Sequence, residues 1–257
     1  MIFEKFFRKI NMTKGIFLIN FEDKNIQPED RFFSDIHLYD DLKQLLRRMI
    51  VSREFAHCVL VGPPASGKSL FFQSIQKNMR DTFFIDATNA SGPGIVDKLF
   101  AYPRTKIILV DEIEKMTKRE QNMLLNLLET GLLVSTKIRK TQEMKFAGIK
   151  LFATSNDIEQ LSKPLRSRLM EFHLPEYNFD EFKEIVAKLA GNRYLFNREI
   201  ADKIASVVWY EMGTTDVRDA LQLMKLVGSV DDVEKTAGTI MKYKPKILSA
   251  SQTTHSD

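Results

Sequence analysis

Cysteine is nearly absent from the sequence. Cys58 is the single one in 257 residues, so no disulfide can form within the chain and a reducing compartment is expected. The four histidines, His37, His57, His173 and His255, are dispersed without metal-ligand spacing, which leaves no sequence basis for a histidine-built zinc site. No apolar run approaches the roughly 20 residues that span a bilayer, so no membrane partner is expected. The first ten residues, MIFEKFFRKI, are interrupted by charges and lack a cleavage-site pattern. They read as a short docking helix, with Met12 an alternative start, and the expected location is cytoplasmic. A strong charge imbalance is also missing. With 38 Lys and Arg against 34 Asp and Glu, the net charge of +4 permits nucleic acid or another acidic partner and demands neither. The densest basic stretch runs from Lys137 to Lys150. No internal repeat is found.

What is present suits a folded protein with two parts. Apolar residues make up 44% and charged residues 28%, enough for a large α/β unit and a smaller helical one. Leu42, Leu45, Leu46, Met49 and Ile50 recur at helical spacing between Asp40 and Ile50. Five compact apolar runs read as strands: His57 to Val61, Thr82 to Asp86, Lys106 to Asp111, Gly148 to Thr154 and Met170 to Leu174. Helices are expected between them. One carries Leu70, Phe71 and Ile75, a short one lies around Ile95 to Phe100, and one carries Met123, Leu124, Leu127 and Leu128 and stops at Gly131 as its C-cap.

Strands that are apolar on both faces and alternate with helices predict a doubly wound α/β core around a five-stranded parallel sheet. After Pro175 the pattern turns helical. Asn178 and Glu181 make an approximate capping box, and Phe182, Ile185, Val186 and Leu189 share one face. A second helix uses Ile200, Ile204, Val207 and Val208, a third starts near Thr215, and a fourth runs from about Asp231 to Tyr243. The expected organisation is an N-terminal extension over 1–30, the core over 31–175, an all-α lid over 176–245 and a polar, disordered tail over 246–257.

GPPASGKS, from Gly62 to Ser69, matches a phosphate-binding loop between a strand and a helix. Its residues Gly62, Pro63, Pro64, Ala65, Ser66, Gly67, Lys68, Ser69 and, entering the helix, Leu70 are the expected nucleotide contacts. The glycines let backbone N–H groups turn towards phosphate oxygens. Lys68 would neutralise the β and γ charges, and the Ser69 hydroxyl would ligate Mg²⁺. Asp111 and Glu112 end the most apolar strand, where ligands bind in parallel sheets. Asp111 is the expected second Mg²⁺ residue, and Glu112 the base that orients and deprotonates water. Asn156, at the end of another strand, is the candidate for contacting the γ-phosphate or the water. Arg218 lies in the first turn of a helix, where a cation opposes the macrodipole at about 0.3–1 kcal/mol. An anionic ligand would offset that, as would a surface pairing with Asp219 or solvent.

These residues in this order resemble the AAA+ ATPases: Walker A at Gly62 to Ser69, Walker B at Asp111 and Glu112, sensor 1 at Asn156 and sensor 2 at Arg218. The likeness runs from about Phe33 to Tyr243. It implies ATP hydrolysis between neighbouring subunits of a homo-oligomeric ring and movement of a polymer substrate. Within the superfamily the sequence is most similar to the RuvB branch-migration motors, through KPLRSRLMEFHL (Lys163 to Leu174) and ASGPGI (Ala90 to Ile95). That likeness implies an arginine finger acting in trans, with Arg166 and Arg168 both candidates.

A β-prone hairpin between Gly131 and Gly148, carrying Lys137, Arg139 and Lys140, resembles the hairpin before sensor 1 in the clade of RuvB, the MoxR-like chaperones and the minichromosome-maintenance helicases. Its basic residues are candidates for a phosphate backbone or a partner protein, against an ordinary solvated hairpin. Three departures stand out. Only a short polar tail follows Tyr243 where RuvB has a winged-helix DNA-binding domain, Ala65 replaces a common glycine, and sensor 1 is Asn. The leading expectation is a nucleic-acid-associated ATPase motor. The alternatives are a MoxR-like chaperone acting on a protein partner and an ATP-dependent assembly switch with little turnover.

Overall fold

The computed structural model describes residues 31–34, 36, 38–137, 140–146 and 148–243. The expected docking helix at the N-terminus, the polar tail, Arg139, His37 and His255 lie outside the described residues. The chain divides into two compact units. One holds the described residues up to Val61 together with Lys68–His173; the other holds Gly62–Gly67 and the described residues from Leu174 onward.

The first unit is built on five parallel strands, β1 (Cys58–Val61), β2 (Thr82–Asp86), β3 (Ile107–Asp111), β6 (Lys150–Ser155) and β7 (Met170–His173). They lie in the order β2-β3-β6-β1-β7. The central strands β1 and β6 are buried along their whole length, and β3 is buried up to Asp111. This is why they read as continuous apolar runs rather than alternating ones. Helices α1 (Asp40–Val51), α2 (Lys68–Asn78), α3 (Gly92–Ala101), α4 (Lys118–Thr130) and the short α5 (Lys163–Arg166) connect or flank the strands. On one face of the sheet, Val59, Ile108, Val110, Leu151 and Ala153 pack with Ile95, Leu99, Leu124 and Leu127 in one apolar cluster. Cys58 is fully buried in β1, which pushes its thiol pKa up and makes it plain core.

Local signals place the ends of α4. Thr117 and Glu120 form a capping box at its start, and Gly131 ends it at φ 67°. A Cβ on Gly131 would meet the Phe146 carbonyl oxygen at 2.7 Å, so glycine is required there on two counts. Between Gly131 and Gly148, β4 (Leu132–Lys137) and β5 (Lys140–Lys145) pair antiparallel as a separate two-stranded sheet. The basic stretch read from Lys137 to Lys150 needs correction at its far end. Lys150 is buried, and its amine donates to the carbonyls of Met49 (2.7 Å), Ile50 (2.9 Å) and Ser52 (2.5 Å). It caps the carboxyl end of α1, where a cation complements the helix dipole, and belongs to no basic surface.

In the second unit, α6 (Phe179–Leu189), α7 (Arg198–Ser206), α8 (Val217–Met224) and α9 (Val230–Tyr243) surround a core of Phe182, Val186, Ala201, Ile204, Val208, Leu223 and Val233. The Asn178–Glu181 capping box is complete, with both bonds at 3.0 Å. Helices α6 and α7 each widen into a π-helical turn, Ala190–Tyr194 and Val207–Glu211. Among the described residues no helix is long and apolar enough to cross a membrane.

Candidate nucleotide site

The loop Gly62–Gly67 leaves the carboxyl end of β1 and leads directly into α2. Two of its residues have positive φ, Ala65 at 65° and Gly67 at 86°. A Cβ on Gly62 would sit 2.6 Å from the Leu174 carbonyl oxygen and 3.1 Å from the Ser66 hydroxyl, so only glycine fits that approach. Ser66 is buried and donates its N–H to the Pro63 carbonyl at 3.4 Å, while Pro64 is exposed. Lys68 opens α2 and is buried, and Ser69 follows it exposed to solvent. The helix expected to carry Leu70, Phe71 and Ile75 does carry them, with Phe71 and Ile75 buried. Leu70 is 48% exposed at the start of the helix, because residue 70 falls one step off the stripe that meets the sheet.

Around Lys68 the first unit gathers acids. Burial lowers the pKa of the Lys68 ammonium, and the nearby carboxylates of Glu114, Asp111 and Glu112, in that order of strength, raise it. Asp111 is the last residue of β3. Its Oδ1 accepts a 2.5 Å bond from the hydroxyl of Thr154, and that hydroxyl accepts the Glu112 N–H at 2.9 Å. The β3–β6 register, Val110 beside Ala153, brings the next residues Asp111 and Thr154 side by side. Thr154 is fully buried and had no place among the residues expected from sequence. The sign of it was a hydroxyl at a strand end, one turn of the alternation before Asn156.

Glu112 stands at φ 54° and ψ 51°, a left-handed conformation that costs a non-glycine residue about 1–2 kcal/mol. The bond from its N–H to Thr154 helps hold it there. Its Oε2 accepts the Thr88 hydroxyl at 2.9 Å, and its Oε1 lies 3.4 Å from the Asn156 amide nitrogen. Thr88 follows β2 in a turn closed by Asp86, whose carboxylate pKa is held down chiefly by the bond from Asn89. Thus Asp111, Glu112 and Asn156, expected together from strand ends, do come together, joined by the unforeseen Thr88, Thr154 and Glu114. Among the described residues no group of three His, Cys, Asp or Glu could alone hold a metal ion. The Ser69 hydroxyl and the Asp111 carboxylate are hard oxygen donors. They suit a magnesium ion completed by phosphate oxygens and water.

The arginines differ in their surroundings. Arg166 is bidentate to Glu171 (2.7 and 3.2 Å) and also bonds Glu159 at 2.7 Å; these bonds raise its pKa and lower that of Glu171. Arg168 pairs with Glu129 at the end of α4 and donates to the Pro164 carbonyl at 2.9 Å. In the second unit, Arg218 pairs with Asp216, with the charge of Asp219 acting on it as well. Asp216 caps α8 through the Arg218 N–H (2.8 Å) and also binds its guanidinium (2.8–3.1 Å). The first-turn cation is therefore compensated by its own cap, and the dipole cost no longer argues for an anionic ligand.

Residues 58–176 match the family model described as "ATPase family associated with various cellular activities (AAA)". Over 251 residues the chain is 22% identical to "ATPase WRNIP1" of Dictyostelium discoideum, covering 90% of this chain but 27% of that protein. It is 27% identical over 240 residues to "Holliday junction branch migration complex subunit RuvB" of the Wolbachia species from Brugia malayi, covering 88% and 71% of the two chains. The solved Thermotoga maritima RuvB Holliday junction branch migration motor has the same fold, with a TM-score of 0.60 at 21% identity over 83% of this chain and 73% of that one.

Proposed function

The chain is a member of the AAA ATPase family through residues 58–176, and from that premise we propose that it works as an oligomeric, ATP-hydrolysing motor on nucleic acid. The observation that carries the ATPase reading is the buried Lys68 faced by Glu114, Asp111 and Glu112, with Asn156 reaching Glu112 from the neighbouring strand. A buried cation beside three carboxylates suits a site that exchanges them for phosphate oxygens.

In this reading the backbone of Gly62–Gly67 and the Lys68 amine bind the triphosphate, and Ser69 and Asp111 hold magnesium. Bound magnesium would neutralise charge on the phosphate oxygens. Glu112 accepts a proton from water as the water oxygen bonds to the γ-phosphorus and the bond to the β–γ bridging oxygen breaks, releasing ADP and phosphate. Asn156 orients Glu112 and the water. Arg168 is the better trans finger, because Arg166 is engaged by two carboxylates of its own subunit while Arg168 meets one, the exposed Glu129. Arg218, a candidate for the phosphates by the resemblance alone, is held by Asp216 within the second unit.

The nucleic-acid part of the proposal draws on the RuvB relatives, whose name ties them to a Holliday junction complex. Purified protein should hydrolyse ATP with Mg²⁺. Lys68→Ala should lose nucleotide binding, and Glu112→Gln should bind ATP with turnover reduced at least about 100-fold. Normal turnover by Glu112→Gln would remove its assignment as base. Branched or single-stranded DNA at low salt should stimulate turnover. A flat response to every DNA would turn the substrate reading towards a protein partner.

A further inference from the structure

We infer that Glu114 is a positioning residue of the hydrolysis site, holding the Asn156 amide against Glu112 from a buried turn; this rests on the ATPase reading above. Glu114 lies in the one-turn 3₁₀ helix Ile113–Lys115 that follows Glu112. It is 5% exposed, and charged side chains are almost never so buried unless they have a partner to serve. Its Oε1 accepts two bonds from one residue, the Asn156 N–H and the Asn156 side-chain amide, both at 3.1 Å. The same amide nitrogen is the atom that reaches Glu112.

Asn156 itself is exposed and follows the end of β6, where an unsupported amide would sample several rotamers. One oxygen of Glu114 thus fixes both the backbone and the side chain of Asn156. The other oxygen, Oε2, is buried and has no hydrogen-bond partner among the described residues, a costly state for a carboxylate. The nearby charge is Lys68, on which Glu114 exerts the largest electrostatic effect of the three acids. The Glu114 carboxylate therefore spends one oxygen on Asn156, and its charge acts on Lys68.

The two roles separate by substitution. Glu114→Gln keeps an acceptor oxygen for Asn156 and loses the charge. Glu114→Met fills the same space with neither, and Glu114→Ala serves if the Met variant does not fold. Asn156→Ala identifies the Asn156 side-chain amide signals in the nitrogen–proton NMR spectrum of the nucleotide-free full chain. Those signals should move towards free-amide positions in Glu114→Met and stay near their wild-type place in Glu114→Gln.

Turnover should follow the same order. Glu114→Met should lose about tenfold or more in kcat with affinity for ATP held within roughly threefold, and Glu114→Gln should recover most of the loss. An Asn156 amide unmoved in Glu114→Met overturns the inference, as does an equal loss of kcat in the Gln and Met variants. Wild-type protein without ATP turnover would instead remove the ATPase reading, while the NMR comparison still decides the role of Glu114.

Discussion

Ala65 stands at φ 65° in a loop whose motif leaves that side chain unspecified. A pattern of residue types tolerates alanine there, but the backbone does not do so freely, since the left-handed region costs an L-residue about 1–2 kcal/mol. Part of that is returned by the entropy glycine adds to the unfolded chain. Ala65→Gly should therefore raise the unfolding free energy by about 0.5–1 kcal/mol, read as a higher urea midpoint at unchanged slope. His57 is a second residue whose environment decides its behaviour. Its Nδ1 accepts the Leu151 N–H at 3.1 Å, and burial first, then the charge of Lys150, lowers its pKa below the ordinary 6.5. The unfolded chain then binds the proton more readily than the folded one. Stability from this group is full above about pH 6.5 and falls as the pH drops through the lowered folded value. His57→Asn, which keeps an acceptor near the Nδ1 position, should flatten the fall in urea midpoint between about pH 7 and 5. An unchanged pH dependence would locate the effect elsewhere.

Elements in the first unit are tied at their ends by buried polar side chains rather than by apolar packing alone. Gln121 on α4 is 2% exposed. Its amide donates to the carbonyls of Met116 (3.1 Å) and Gln160 (3.4 Å), and its oxygen accepts the Ser162 N–H at 2.8 Å. It joins the turn after Glu112, the turn after Asn156 and the start of α5, which carries Arg166 and leads to Arg168. Gln121→Leu matches the volume but strands one buried and two partly buried backbone groups, so it should destabilise the fold by about 1–3 kcal/mol. Denaturant unfolding measures this, and a loss under about 1 kcal/mol would mean water replaces the amide. The helical spacing of α4 and its Gly131 stop are local and legible in the sequence. The Gln121 bonds are not, because a glutamine among polar helix residues looks the same whether it faces solvent or the core.

For the whole molecule the decisive question is whether subunits complete one another's sites. Neither Arg168→Ala nor Glu112→Gln subunits should hydrolyse ATP appreciably alone. A mixture should recover activity, since an intact Glu112 in one subunit meets an intact Arg168 from its neighbour. Failure of every mixing ratio to restore turnover would argue against a shared site. The amino-acid sequence by itself determined the strand and helix order, the phosphate-loop residues, the acids at the end of β3 and the change to an all-helical second part. Each of these is written in periodicity, glycine placement or residues adjacent along the chain. Only the tertiary structure decided which polar groups meet. Thr154 lies between Asp111 and the Glu112 N–H, Glu114 holds Asn156, and Lys150 turns away from the basic stretch to cap α1. The reason is separation. These partners stand some 42, 43 and 101 residues apart, so the parallel register and the burial of the sheet bring them together, and neither leaves a mark in local sequence.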